Sequence, residues 1–202
     1  MRIAEIFYSL QGEGRNQGRP CLFIRLTGCN LRCQWCDTEY ARDSGREMTS
    51  DVVLGQVRRK NPKLVCITGG EPLLQMPDLE KILPALSREG VEIDIETNGT
   101  INFCSLQEYA SICMDVKCPS SGEESDLSLL ASIRQEDSVK FVVADEADCG
   151  YAVDIIRHHP IEGEIFITPV FGSDYGKIAR FILENNLPVR FQIQLHKVIG
   201  VQ

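Results

Sequence analysis

Three cysteines lie within eight residues of one another, in the pattern Cys29-x3-Cys33-x2-Cys36. Thiolates are soft ligands, so this spacing predicts a site for a transition metal or an iron–sulfur cluster. A structural zinc ion needs four ligands, and because the chain has no second Cys-x2-Cys pair, one of its histidines would have to complete that site. A cluster held by three cysteines instead leaves one iron open to bind a substrate or cofactor. We favour the iron–sulfur interpretation, with the zinc site as the alternative.

A second group of candidate residues follows apolar segments that are predicted to be strands. The segment GGEP at 69–72, the segment TNG at 97–99 and Lys117 each come directly after such a strand. Glycine, proline and asparagine at these positions are also what simple turns require. Because ligands gather at the carboxyl ends of parallel strands, the three together favour a site at one edge of a sheet.

The elements that must position these residues alternate between strands and helices. Apolar, β-branched segments predict strands near 3–8 and at 22–27, 64–68, 91–96, 111–116, 139–143, 164–168 and 189–193. Helices are predicted at 78–89, from a cap at Thr49 or Ser50 through Arg59, and from a cap at Ser173 through Glu184. This alternation predicts an α/β fold with a mostly parallel sheet. With no linker or low-complexity segment, residues 1–202 are predicted to form a single domain.

The composition argues against several classes of protein. The 202 residues include 21 Lys and Arg against 29 Asp and Glu, and this net charge of −8 argues against binding to nucleic acid. No apolar segment approaches the ~18 residues that span a membrane, and Glu5 stands where a signal peptide would be apolar. Nine cysteines without an export signal predict a cytoplasmic protein with reduced thiols. Of these, Cys21, Cys66 and Cys113 are expected to be buried core residues.

The cysteine pattern, with Trp35 directly before the last cysteine, resembles the signature of radical S-adenosylmethionine enzymes. The GGEP segment resembles the GGE motif with which that superfamily contacts the methionyl amino group of the cofactor. The resemblance implies a partial (β/α)6 TIM-like barrel, one 4Fe-4S cluster held by Cys29, Cys33 and Cys36, and S-adenosylmethionine on the open iron. In such enzymes the cluster reduces the sulfonium, and the resulting 5′-deoxyadenosyl radical takes hydrogen from the substrate. The protein orients the reactants and excludes water.

Further segments resemble one family of this superfamily, the 7-carboxy-7-deazaguanine synthases. They are EIFYSLQGEG at 5–14, FIR at 23–25, CDT at 36–38 and HK at 196–197. The resemblance extends over nearly the whole chain. It implies a lyase that converts 6-carboxy-5,6,7,8-tetrahydropterin into 7-carboxy-7-deazaguanine with release of ammonia, in the biosynthesis of queuosine precursors. The alternatives are a glycyl-radical-enzyme activating protein, which shares the cysteine spacing, and a non-catalytic zinc-binding module.

The resemblance also implies which residues contact the cofactor. Those expected to bind S-adenosylmethionine are Trp35, Cys36, Asp37, Gly70, Glu71, Glu96, Asn98, Asp115, Val116, Lys117, Thr168, Pro169, Val170 and Phe171. The family more often has Ser-Pro-Lys at 115–117 and Gln-Pro-Met-Asp at 168–171. Backbone contacts survive such changes, whereas a role of the glutamine side chain does not.

A substrate site, a metal ion and partners are implied in the same way. The residues expected at the pterin substrate are Leu10, Gln11, Gly12, Glu13, Arg25, Thr68, His196 and Gln202. Thr38 is expected to be the protein ligand of Mg²⁺, a hard cation that takes its other oxygen ligands from substrate and water. Arg25, on a strand four residues before Cys29, offers a planar fork to the substrate carboxylate. A flavodoxin or ferredoxin is expected as electron donor, and a homodimer as the assembly.

Overall fold

The structure, a computed structural model that describes residues 1–201, has the predicted alternation of strands and helices. Its strands are β1 (Arg2–Leu10), β2 (Pro20–Leu26), β3 (Arg46–Glu47), β4 (Leu64–Gly69), β5 (Glu92–Thr97), β6 (Ser111–Val116), β7 (Ser138–Val143), β8 (Glu164–Pro169) and β9 (Arg190–Phe191). Its helices are α1 (Ser50–Lys60), α2 (Met76–Arg88), α3 (Glu146–His158), α4 (Tyr175–Glu184) and α5 (Leu195–Ile199). Short 3-10 helices connect β5 to β6 and β6 to β7.

The nine strands form one sheet in the order β3-β1-β2-β4-β5-β6-β7-β8-β9. From β2 to β9 every neighbouring pair is parallel, whereas β1 is antiparallel to β2 and β3 is antiparallel to β1. Within residues 1–201 the sheet stays open, with β3 and β9 as its edges. The six longer parallel strands, β2 and β4 to β8, joined by crossovers in an open sheet confirm the predicted partial (β/α)6 barrel, to which the two-residue β9 is added.

Three of the five helices within residues 1–201, α1, α3 and α4, begin at a side chain that accepts a hydrogen bond from a backbone N–H of the first turn. Thr49 caps α1, accepting a hydrogen bond from the backbone N–H of Val52 at 3.4 Å. The cap of α4 is Asp174 and not the predicted Ser173, because the Asp174 carboxylate accepts from the backbone N–H of Lys177 at 2.9 Å. No helix within residues 1–201 is both long enough and apolar enough to cross a bilayer.

Alternation along the parallel strands separates an apolar face from a polar one. Ile24 of β2 and Ile67 of β4 are paired in register and are buried in the main core with residues of α1 and α2. Arg25 and Thr68, one residue further along, are also paired and belong to the opposite face. The sheet therefore presents charged and polar side chains on its concave, barrel-interior face and covers the other face with helices.

The cysteines outside the Cys29–Cys36 pattern are mostly core residues. Cys21, Cys66 and Cys113 are buried, as predicted, and Cys118 and Cys149 are buried as well. All nine cysteines are free thiols, and Cys104 is exposed.

The two sides of the open sheet are linked by a loop and not by a strand pair. Residues 11–19, which follow β1, contact the segment that follows β9. The side chain of Gln192 accepts from the Gly14 backbone N–H at 2.7 Å and donates to the Gly14 carbonyl at 2.9 Å. Gln17 donates in turn to the carbonyls of Gly12 and Ile193, at 2.9 and 2.7 Å.

Candidate active site

A cavity of about 360 Å³ lies at the carboxyl ends of the parallel strands. Most of the residues predicted for the site line it. They are Leu10, Gln11, Gly12, Glu13, Arg25, Cys29, Cys33, Trp35, Cys36, Asp37, Thr38, Thr68, Gly70, Glu96, Asn98, Asp115, Lys117, Val170 and His196. The cysteine pattern, the GGEP segment and the loop after β1 therefore meet at one place.

Some predicted residues lie away from the cavity wall. They are Glu71, Val116, Thr168 and Pro169, which are buried, and Phe171, which is exposed. Val116 packs in the main core because alternation along β6 turns its side chain away from the face that carries Asp115. Gln202 lies outside the described residues.

Glu71 does not line the cavity but stabilises the segments that do, through hydrogen bonds of its side chain. Its buried carboxylate accepts hydrogen bonds from the Thr97 hydroxyl at 2.9 Å, from the Asn98 backbone N–H at 2.7 Å and from the Leu73 backbone N–H at 2.9 Å. Burial raises the pKa of the Glu71 carboxyl, and these hydrogen bonds oppose the shift. The side chain of Glu71 therefore links the segments that follow the carboxyl ends of β4 and β5.

The three cysteines of the pattern are half-buried and face the same cavity. Asn98 brings its amide nitrogen to 4.0 Å from the Cys29 sulfur, and the Leu31 backbone N–H donates to that sulfur at 3.4 Å. Burial raises the pKa of the Cys33 thiol, and the Lys117 ammonium opposes the shift.

The donor set suits a group larger than one ion. Within residues 1–201, no three His, Cys, Asp or Glu side chains are close enough together to enclose a single metal ion. An iron–sulfur cluster places one thiolate on each of several irons, so its cysteines do not have to converge on one point. Three thiols on one cavity wall, with backbone and amide N–H groups directed at the first of them, fit such a cluster.

Gly70 lies against the cysteine loop more closely than any side chain would allow. A Cβ atom added to it would lie 2.2 Å from the Gly28 carbonyl oxygen and 2.7 Å from the Cys29 Cβ. The next residue, Glu71, donates its backbone N–H to the same Gly28 carbonyl at 2.7 Å. The glycine pair therefore docks the end of β4 directly on the loop that begins the cysteine pattern.

We expect Gly70→Ala to lose most of the cluster that the unmodified protein takes up. The added methyl group meets backbone atoms, which cannot move aside without displacing Cys29. Iron and sulfide content after anaerobic reconstitution measures the effect. Gly150→Ala is the control, since a Cβ at this position in α3 meets nothing within 4 Å. Equal iron content in the two variants would contradict the docking role of Gly70.

Charged side chains form a network in the cavity wall. Asp115 lies 3.1 Å from the Lys117 ammonium and 3.2 Å from the Lys140 ammonium. Burial alone would raise the pKa of the Asp115 carboxyl, but the two ammonium groups outweigh it and lower the pKa. The same neighbours act on the lysines, since Asp115 holds the pKa of Lys117 above its usual value against burial. These groups are therefore ionised at neutral pH.

Several residues of the wall were not predicted from the sequence. They are Phe7, Phe23, Leu31, Tyr40, Arg42, Lys140, Val142, Gln194, Lys197 and Val201. Lys140 carried a signal that could have revealed it, because it is the one charged residue of the mostly apolar strand SVKFVV. Lys197 carried another, since it follows His196 in the HK segment.

His196 reaches the cavity from the short helix α5, which follows the last predicted strand, 189–193, shorter in the structure than predicted. The strand ends at Phe191, because the residues after it bond to the loop after β1. The imidazole packs directly on Gly12, where an added Cβ would lie 2.1 Å from Nδ1. Burial lowers the pKa of His196, so the ring is neutral at neutral pH.

Arg25 faces the cavity and is held by neighbours on β1. Its Nε donates to Glu5 at 2.8 Å, and the Tyr40 hydroxyl donates to the same carboxylate oxygen at 2.5 Å. The guanidinium lies 5.6 Å from the centroid of the Phe7 ring, which stacks on Phe23 at 4.8 Å. About 15% of the Arg25 side chain remains exposed. Of the two orientations open to an arginine on this strand, the structure has the inward one.

Thr38 follows the cysteine pattern and lines the cavity beside Asp37. Its hydroxyl oxygen lies 3.9 Å from the Cys36 sulfur. Asp37 pairs with the Lys197 ammonium at 2.7 Å. Burial alone would raise the pKa of the Asp37 carboxyl, but Lys197 outweighs it and lowers the pKa.

Comparison with known proteins finds relatives along nearly the whole chain. The profile of the Radical SAM superfamily matches residues 23–119. The 7-carboxy-7-deazaguanine synthase of Methanospirillum hungatei is 54% identical over 202 residues, which cover 100% of this chain and 86% of that protein. The protein of the same name from Koribacter versatilis is 38% identical over 218 residues, 98% of this chain and 96% of the relative. The crystal structure of QueE from Escherichia coli matches with a TM-score of 0.75 at 24% identity, over 96% of this chain and 94% of that one, and supports the fold.

A partial barrel with three cysteines and a glycine pair at the carboxyl ends of its strands defines a radical S-adenosylmethionine protein, whose cofactors are a 4Fe-4S cluster and S-adenosylmethionine. Similarity to several relatives extends over nearly all of the chain. The chain belongs to the 7-carboxy-7-deazaguanine synthase family.

Proposed function

We propose that this protein is a radical S-adenosylmethionine lyase that converts 6-carboxy-5,6,7,8-tetrahydropterin into 7-carboxy-7-deazaguanine and ammonia, a step toward queuosine precursors. The observation that carries the proposal is that the cysteine pattern, Gly70 and the loop at 11–13 line one cavity. A cofactor at the cysteines and a pterin-sized molecule at the loop would therefore be neighbours. The shared name of the relatives supports the same activity.

Cys29, Cys33 and Cys36 would hold the cluster, and Gly70 would face the methionyl end of the cofactor. When bound, the cluster and cofactor supply one-electron cleavage of the sulfonium and the hydrogen abstraction that follows. Trp35 and Lys117, which we expect at the adenosyl end of the cofactor, are held in place by contacts within the protein. Trp35 donates its indole N–H to the Ser120 hydroxyl at 3.1 Å, and the Lys117 ammonium lies 5.6 Å from the Trp35 ring centroid.

We assign Glu96 to the substrate, although the family resemblance implied a contact with the cofactor. Its carboxylate accepts from the Gln11 amide at 3.2 Å and from the Thr68 hydroxyl at 3.1 Å, and both partners are substrate candidates. Burial raises the pKa of the Glu96 carboxyl. A carboxylate with neutral partners keeps lone pairs for the N–H groups along the edge of a pterin ring.

The substrate carboxylate would lie at Arg25, whose planar guanidinium lines the cavity. Nε donates to Glu5, so the terminal nitrogens would supply the donors to an anion. The stacked rings of Phe7 and Phe23 beside it offer an apolar surface that excludes water from the pair.

We propose Thr38 as the protein ligand of Mg²⁺. The support is its place in the cavity wall beside Asp37 and the preference of Mg²⁺ for a few protein oxygens with substrate and water as the remaining ligands. The Lys197 ammonium already compensates the charge of the Asp37 carboxylate, so we assign the ion to the neutral Thr38 hydroxyl beside it.

Thr38→Ala is expected to raise the Mg²⁺ concentration for half-maximal turnover by about tenfold, equivalent to about 1.4 kcal/mol, while cluster content stays unchanged. Removal of the hydroxyl deletes one hard ligand and leaves the cysteines in place. Turnover measured against Mg²⁺ concentration tests this, with Thr38→Ser as the matched control that keeps the oxygen. An alanine variant with the same Mg²⁺ response as the unmodified protein would count against the assignment.

By the same resemblance, the cluster would receive its electron from a flavodoxin or ferredoxin, and the protein would work in the cytoplasm as a homodimer. A reduced cluster requires an external one-electron donor, whichever protein supplies it.

Anaerobic turnover tests the proposed function. The reconstituted protein is incubated with 6-carboxy-5,6,7,8-tetrahydropterin, S-adenosylmethionine, Mg²⁺ and a chemical reductant, and the products are read by mass spectrometry. We expect 7-carboxy-7-deazaguanine and ammonia to form. A clustered protein that cleaves S-adenosylmethionine but leaves the pterin intact would favour a different substrate, and a colourless protein that binds only zinc would favour the zinc-binding module.

A further inference from the structure

Lys140 is a buried cation that none of the sequence motifs contains. It lies in the middle of β7 and is 5% exposed. Its ammonium contacts Glu13 Oε2 from the loop after β1, and it lies 3.2 Å from Asp115 Oδ1 of β6. A buried ammonium is costly unless carboxylates compensate for its lost hydration, and here two elements supply one carboxylate each.

Of the two carboxylates, Glu13 depends on Lys140 more than Asp115 does. Asp115 has a second cation, Lys117, at 3.1 Å. The other oxygen of Glu13 accepts from the neutral Gln194 amide at 2.7 Å. Glu13 stands between Gly12 and Gly14, and Gly14 has a φ of 69°, so the backbone around it is intrinsically free to adopt other conformations. The direction of this carboxylate is therefore set by Lys140 and Gln194.

Lys140 also separates carboxylates that would otherwise repel. Glu13 and Asp115 both act on Glu96 of β5, where their charges raise the pKa of its carboxyl and the Lys140 ammonium lowers it. Without this cation, three carboxylates from three elements would share one cavity wall with Lys117 as the remaining partner of Asp115. Like charges on one cavity wall drive carboxylates apart or make them bind protons.

We propose that Lys140 is a positioning residue for the substrate, which holds the Glu13 carboxylate in the cavity wall where it can accept N–H groups of the ring. Each carboxylate oxygen has two lone pairs, and the contacts with Lys140 and Gln194 use one on each. The inference rests on the proposed function, because it takes the reduced pterin as the ligand.

A double-mutant cycle tests the proposal. Lys140→Met, Glu13→Gln and the double variant are compared with the unmodified protein for binding of 6-carboxy-5,6,7,8-tetrahydropterin and, separately, of S-adenosylmethionine, each to the reconstituted protein under anaerobic conditions. Lys140→Met is expected to weaken pterin binding by about tenfold or more and to leave S-adenosylmethionine binding unchanged, since Asp115 keeps Lys117. Lys140→Arg is expected to restore most of the pterin affinity. Lys63→Met, at an exposed position, is the matched control.

The cycle distinguishes positioning from general damage. If Lys140 acts through Glu13, adding Lys140→Met to Glu13→Gln costs no further pterin affinity. Fully additive losses, or equal losses of pterin and S-adenosylmethionine binding, would overturn the role of Lys140. Failure of the unmodified protein to bind the pterin would instead overturn the proposed function, so the two failures are distinct.

Discussion

Alanine in place of any one of Cys29, Cys33 and Cys36 is expected to abolish both the broad absorbance near ~400 nm of the reconstituted protein and all reductive cleavage of S-adenosylmethionine. The three thiols are the soft ligands on the cavity wall, and each would be the protein ligand of a different iron. A cluster left with two thiolates has lost a third of its protein attachment and opens a second iron to solvent. Iron content, absorbance and the cleavage product measure the loss.

Two buried cysteines provide the controls for this result. Cys66→Ala and Cys149→Ala remove thiols that lie outside the cavity wall, so the cluster and its chemistry should remain. Their expected effect is on stability alone, about 1–2 kcal/mol for a small truncation in a packed core. If Cys149→Ala lost the cluster while Cys33→Ala kept it, the ligand assignment would be wrong.

Arg25→Ala is expected to weaken binding of the tetrahydropterin by about a hundredfold. Loss of a buried charge-assisted contact to a carboxylate costs roughly 2–5 kcal/mol, because the anion is left unpaired, and each tenfold corresponds to ~1.4 kcal/mol. Cleavage of S-adenosylmethionine without substrate should persist, since Arg25 touches neither the cysteines nor Gly70. Equilibrium binding and the uncoupled cleavage rate are measured on the same preparation.

The control for Arg25 is an arginine in a similar pair outside the cavity. Arg58 pairs with Glu89 at 2.6 Å on the exposed side of α1, and Arg58→Ala should leave pterin binding unchanged. Glu5→Gln adds a second comparison, because it removes the charge that holds Arg25 and keeps the guanidinium itself. Pterin affinity within threefold of the unmodified protein in Arg25→Ala would mean that Arg25 only pairs with Glu5.

The strands could be predicted closely because apolar, β-branched residues mark each one, and β4 to β8 lie within a residue or two of the predicted segments. Helix α3 was not predicted, for two physical reasons. Gly150 lowers its helix propensity. Asp148 interrupts its apolar face, and this buried carboxylate is tolerated because the backbone N–H groups of Ser120 and Ala144 donate to it at 3.0 and 2.8 Å. The partners that compensate for it are distant in sequence.

The residues of the candidate site also fall into two groups, those that local motifs predict and those that depend on contacts distant in sequence. The cysteine pattern and the GGEP segment are local motifs that follow predicted strands, and because parallel strands end at one edge of a sheet, their meeting could be predicted. Other residues of the cavity wall are placed by contacts with residues distant in sequence, which motif spacing cannot predict. They are Lys140 and Gln194, which contact Glu13, and Tyr40, which contacts Glu5. Glu71 shows the reverse case, a residue of a recognised motif whose side chain is turned into the fold and not into the cavity.

The hydrogen bonds between the Gln192 side chain and the Gly14 backbone join residues that are 178 positions apart in the chain. Apart from Val170, the cavity-lining residues expected at the cofactor lie between Cys29 and Lys117. On a ribosome the cysteine loop, Gly70 and Asn98 are therefore all available long before Gln192 and Gln194 have been synthesised. The cofactor half of the cavity can form on the growing chain, whereas the substrate half has to wait for the last tenth of translation, because contacts of such separation form late.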